Sequence, residues 1–241
     1  MKKFSVLSFF IFVVAICSCI SCGYLISTAI VTSSLFQYTS VVSSDSQNLY
    51  AISMASSTSE NDLTSQKENL QSQNGAGYIY EKDGNFYLIA SIYENYNDAE
   101  LVKNNLKTNG IEAEILTITL DTIQIEGNFT ADEKTMLSNG IKSSVETFKN
   151  LYDVAISLDT SVFDKTKAKI ECNTIYSNNV SIKANFDTYF KDTKDDNLKK
   201  LQSTLTKTND YLSNLISENY DTQTQTFSSL IKQTYCEILL G

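Results

Sequence analysis

Hydrophobic and polar positions follow one another along this chain in three different rhythms. The first is an unbroken one. From Phe4 to Phe36 the residues are mostly apolar, and no charge separates Lys3 from Asp45. About 20 apolar residues cross a bilayer as a helix, so residues 4–36 are expected to be a transmembrane anchor. A cleaved signal has a shorter apolar core and a small-x-small site, whereas this run continues through Tyr24-Leu25-Ile26 to Leu35. Lys2 and Lys3 place the N-terminus in the cytoplasm. The expectation is a single-pass protein of the cell membrane with its C-terminal region extracytoplasmic. Cys17, Cys19 and Cys22 follow no Leu-Ala-Gly-like triplet and are read as small apolar residues of the anchor. Residues 37–47, rich in Ser, read as a tether.

The second rhythm is a repeat. Ile52-Ser53-Met54-Ala55-Ser56 matches Tyr87-Leu88-Ile89-Ala90-Ser91, with the Ala-Ser pair in register 35 residues apart. Each run can be a strand and precedes a polar stretch of helical character, residues 60–73 and 98–108. Ser59 with Asp62, and Asn97 with Glu100, have the spacing of a capping box. Asn74-Gly75 and Asn109-Gly110 suit helix ends, where glycine takes a left-handed conformation. Short strands follow at 77–80 and 111–116, and Asp83-Gly84 supplies a tight hairpin turn. The order β-α-β, hairpin, β-α-β most simply gives a four-stranded antiparallel sheet with both helices on one face. Alternation places Ile52, Met54, Tyr87 and Ile89 toward the helices, with Ser53, Ala55, Leu88 and Ala90 on the other face.

The third rhythm is helical. Residues 119–129 read as a connector or extra strand, and Thr130 to Glu133 is a capping box. Leu137, Ile141, Val145, Phe148, Leu151, Ala155 and Leu158 then recur at steps of three and four. Further helices are expected over 161–189, 195–218 and 222–240, joined by short polar breaks as in antiparallel bundles. The fold class is therefore α+β: an N-terminal transmembrane helix (1–36), a linker (37–47), a βαββαβ domain (48–118), a connector (119–129) and a mainly α-helical region (130–241).

Composition narrows the chemistry. The chain has no His, and all 19 basic residues are Lys, so Arg is absent as well. A His-based triad, a His-based metal site and an arginine finger are excluded. A net charge of −9 without a basic block argues against nucleic-acid binding. Carboxylate pairs could serve glycoside hydrolysis, but a helical bundle offers them no evident pocket, and the acids along it read as solvated faces. No catalytic residue, metal or cofactor is expected. Cys172 and Cys236 lie in the exported part, where both a disulfide and two buried thiols are open.

A strand, a helix opening Asp98-Ala99-Glu100-Leu101-Val102, then Asn109-Gly110 and a strand, all duplicated, resembles the SPOR (sporulation-related repeat) family. The resemblance covers about residues 48–118. It implies a small domain, commonly tethered by one transmembrane helix, that binds peptidoglycan glycan strands in sporulation or cell division. The family's strand serine is kept as Ser56 and Ser91. Its strand glutamine falls on Ser53 and Leu88, and its strand glycine on Ala55 and Ala90. The glycan-binding face would then comprise Ser53, Ala55, Phe86, Leu88 and Ala90, with Phe86 able to stack on a sugar ring. Two readings stand at this point. In one the face binds glycan while the C-terminal helices recruit a protein partner. In the other the C-terminal region covers the face, and the chain is a structural or protein-interaction module.

Overall fold

The computed structural model describes residues 40–217 and 225–241. The expected anchor, residues 4–36, lies outside them, as does most of the expected break between the last two helices. Among the described residues no helix is long and apolar enough to cross a membrane. Residues 41–125 and 130–241 make one compact unit. Ser40 and Glu126–Phe129 fall in a second, within which Ser40 Oγ donates to the Gly127 carbonyl at 2.8 Å.

The fold is α+β, with two antiparallel sheets and six α-helices. The strands are β1 (Ser40–Ser43), β2 (Gln47–Ser57), β3 (Tyr78–Lys82), β4 (Asn85–Tyr93), β5 (Glu114–Leu120) and β6 (Gln124–Gly127). The helices are α1 (Thr64–Ser72, preceded by the 3-10 turn Glu60–Leu63), α2 (Tyr96–Thr108), α3 (Ala131–Asp159), α4 (Lys165–Phe190), α5 (Asp196–Ser217) and α6 (Phe227–Leu240). β1 and β6 form a two-stranded sheet, and the main sheet runs β3-β4-β2-β5. That order is what a duplicated β-α-β unit with a hairpin between its halves produces. β2 starts at Gln47, so its first residues come from the stretch that composition marks as tether and connector.

Local chemistry explains most boundaries. Thr130 Oγ1 accepts from the Glu133 amide and the Glu133 carboxylate accepts from Thr130 N, closing the capping box of α3. The two boxes expected in the repeats are not formed. Ser59 makes no side-chain cap, and Asp62 accepts from Ser57 Oγ instead. α2 starts earlier than expected, capped by Asn95, whose side chain accepts from Asn97 N. At the first helix end it is Asn74, not Gly75, that takes a positive φ, while Gly110 does so at the second. Asp83 and Gly84 both have positive φ, the requirement of a type I′ hairpin turn.

Faces are set by register. Two bulges separate β2 from β4: Ile52 lies opposite Ser91, Ser53 opposite Ile89, and Ala55 opposite Leu88. Ala90 and Met54 are thus the extra residues, and each bulge shifts the alternation by one. On one face Ile52 and Tyr93 pack against Ala99 of α2, with Met54, Ala90, Val102 and Ile115 around them. On the other, Leu49, Ala51, Ile89 and Ile118 belong to the same core as Phe148, Leu151, Ile231 and Tyr235 of the helices. Tyr87 and Ile89 therefore do not accompany Ile52 and Met54, as alternation through the repeat predicted.

Candidate functional site

The residues expected to bind glycan do not share one open face. Ser53 is 1% exposed and lies opposite Ile89, on the side that joins the helical core. Its hydroxyl donates to the Ala55 carbonyl at 3.0 Å. Leu88 is also 1% exposed and pairs with Ala55 and Ile79. Ala90 packs with Ile52 and the α2 cluster. Phe86 and Ala55 remain half-buried near the β3–β4 hairpin, where Phe86 pairs with Ser57 and Glu81. The bulges divide the set between the two faces.

α6 fills the Ser53 face from outside. It lies against β3 and β4. Tyr235, fully buried, shares a 2.7 Å hydrogen bond with Ser91 Oγ and stacks edge-on against Phe148 at 5.3 Å. Tyr78 is the neighbour of Ile89 on this face, and burial pushes its phenol up to about 12, helped by Cys236, Glu237 and Tyr211 nearby. Lys82, on the same side of β3 as Tyr78 and Tyr80, donates to the Thr117 carbonyl of β5 at 3.2 Å. β3 and β5 are opposite edges of the main sheet. In a flat sheet they would stand about 14 Å apart, beyond a lysine's reach. The sheet is therefore curled, with the side facing α6 as its concave side.

A polar network fastens α6 to the first repeat. Lys232 is 8% exposed, yet its ammonium donates to the Asn74 carbonyl at 2.8 Å and pairs with Asp159 at 2.5 Å. Thr226 Oγ1 donates to Asn74 Oδ1 at 2.6 Å, and Gln71 Nε2 donates to Gln233 Oε1 at 3.0 Å. Gln233 passes the chain on to the Glu237 carboxylate at 2.8 Å. Burial holds that carboxyl above the usual range, with the Gln233 bond and Lys67 working against the rise. None of this polar cluster was singled out from sequence. The available signal was a lone lysine in the apolar stretch Phe227–Leu240.

The chemistry open to these groups is narrow. Ser229 and Lys232 have the Ser-x-x-Lys spacing used by some acyl-transfer enzymes. Here the Ser229 hydroxyl is fully buried without a hydrogen-bond partner, while Lys232 is bonded to Asp159 and Asn74. The serine thus has no base. Cys172 and Cys236 are free and buried, and burial pushes both thiols up, that of Cys172 to about 12. Neutral thiols are poor nucleophiles. Among the described residues no three His, Cys, Asp or Glu side chains gather as metal ligands. A groove of about 800 Å³ lies where the β1–β2 turn, with Asp45 and Gln47, meets Lys142, Glu146 and Lys149 of α3. It carries both signs of charge and no enclosed cluster. No protein-family model matches the chain, and no curated protein or solved structure matches it either.

Proposed function

We propose that this chain is a non-catalytic interaction or scaffold protein, held at the cell membrane by residues 4–36, with an extracytoplasmic body. In this reading a SPOR-like βαββαβ part has given up glycan binding and serves protein contacts together with the helical region. The observation that supports it is the covering of the Ser53 face: α6 and its Tyr235 occupy the concave side of the sheet. Ser53 and Leu88, on the strand-glutamine positions, are both buried. A ligand on that side would have to displace a helix whose Phe227, Ile231, Tyr235 and Ile238 lie in the shared core.

The second reading, binding of peptidoglycan glycan strands, draws on the strand order β3-β4-β2-β5 and on Phe86, which keeps part of its ring in solvent. Sedimentation separates the two. The full chain in mild detergent is mixed with purified peptidoglycan, with or without amidase treatment. The interaction reading expects the protein to stay in the supernatant in both. Pelleting that disappears in Phe86→Ala, with the circular dichroism unchanged, would establish the glycan reading in its place.

A further inference from the structure

Helix α4 presents to solvent a face that carries no charge along almost its whole length. Ile170, Asn173, Ser177, Val180, Ala184 and Thr188 recur at steps of three and four and are all exposed. Such steps keep one face of a helix in line. Ile170 is 54% and Val180 39% exposed. The charged residues of α4 stand at the margins, several in pairs: Lys167 with Glu171 on one side, and Lys183 with Asp187 on another. In a chain of net charge −9, two copies repel each other over most approaches, and a neutral face is where they can meet.

The polar residues on this face are already satisfied by their own helix. Asn173 Nδ2 donates to the Lys169 carbonyl at 3.0 Å, and Thr174 Oγ1 to that of Ile170 at 3.1 Å. Ser181 and Thr188 donate to Ser177 and Ala184 in the same way, each at 3.0 Å. Drying the face therefore strands none of these donors, and the usual cost of burying hydroxyls and amides is largely avoided.

We propose that this face of α4 is a self-association surface on which a second copy of the chain packs antiparallel, with Ser177 at the two-fold axis. Size decides the direction. About that axis Ile170 meets Ala184 of the other copy, Asn173 meets Ser181, Thr166 meets Thr188, and Val180 meets Thr174, so large residues fall on small ones. A parallel pair would set Ile170 on Ile170 and Ala184 on Ala184, with a bump followed by a gap. Charge agrees with size. Lys169 and Asp187 lie on the same edge, nearly equidistant from Ser177, so antiparallel packing brings lysine beside aspartate at both ends. One helix face is a small interface, and the association is expected in the micromolar range. The surface is independent of whether glycan is bound.

Cysteine cross-linking reads this geometry directly. The full chain is taken in mild detergent, with Cys17, Cys19 and Cys22 changed to Ser; Cys172 and Cys236 are buried. Under mild oxidation Ser177→Cys is expected to give a covalent dimer. Thr166→Cys and Thr188→Cys should cross-link only when mixed, not each with itself. Adding Val180→Glu should lower the Ser177→Cys yield at least tenfold with the circular dichroism unchanged. No dimer from Ser177→Cys overturns the proposal, as does a yield indifferent to Val180→Glu. Self-cross-linking at Thr166→Cys and Thr188→Cys equal to that at Ser177→Cys would mean parallel packing and overturns it too. Peptidoglycan sedimentation of the Val180→Glu chain keeps the outcome apart from the interaction reading, since that reading can fail while the dimer stands.

Discussion

Lys232, Tyr235 and Glu237 place a cation, a phenol and a carboxyl within two turns of one helix, and each meets burial differently. Lys232 keeps its charge by pairing with Asp159 and donating to Asn74 O. Tyr235 stays neutral, its hydroxyl shared with Ser91. Glu237 has a single hydrogen-bonded partner, Gln233, and its carboxyl is pushed up by burial. Its folded pKa is raised above the unfolded value near 4.5. The stability tied to its proton is therefore complete below that value and is lost as pH rises through the folded one. Glu237→Gln keeps the oxygen that accepts from Gln233 and removes the charge. Urea denaturation should find this variant more stable than the parent at pH 7, with the difference closing toward pH 4. A difference that grows on acidification would contradict the assignment.

At the level of elements, the repeat was legible because its turn chemistry is local. Asp83-Gly84, the Thr130 box and the three-and-four stripes of the bundle each specify their own geometry. The faces of the sheet were not legible, because the bulges at Met54 and Ala90 arise from pairing between distant strands. One inserted residue inverts every side chain beyond it. The five residues expected to make a glycan face were thereby split, and the covering helix α6 could not be foreseen from the repeat alone. Turn glycines show a similar contrast. Gly77 has φ +60, and an added Cβ would stand 2.4 Å from Gln71 Cγ, whose amide is already bonded to Gln233. Gly84 has φ +75 with nothing within 4 Å. Gly77→Ala should cost about 2 kcal/mol or more, conformational strain adding to the clash. Gly84→Ala should cost about 1 kcal/mol, from strain alone. Equal shifts of the urea midpoint would show that the packing around Gln71 yields.

For the molecule as a whole, the sheet and the bundle share one core instead of forming two. Leu49, Ile89 and Ile118 belong to the same cluster as Phe148, Leu212 and Tyr235. A boundary between residues 118 and 130 separates patterns of sequence, and the core crosses it. Unfolding should accordingly be a single transition, with the tyrosine signal and the helical dichroism changing together. Cys172 and Cys236 should become reactive to a thiol reagent over that same transition, since both are buried. A plateau in which the helical signal has gone while the tyrosine signal remains would mean that the sheet region stands by itself.

The bond between Tyr235 and Ser91 spans 144 positions of the chain. A ribosome adds about 5–20 residues each second, so roughly 7–30 s separate the making of the strand from the making of its cover. Through that interval the concave side of β4, apolar and curled, has no partner from its own chain. The nascent protein must be sheltered, or kept from forming its sheet, until the final helix arrives. The last residues translated are thus the ones on which the first-made strands depend.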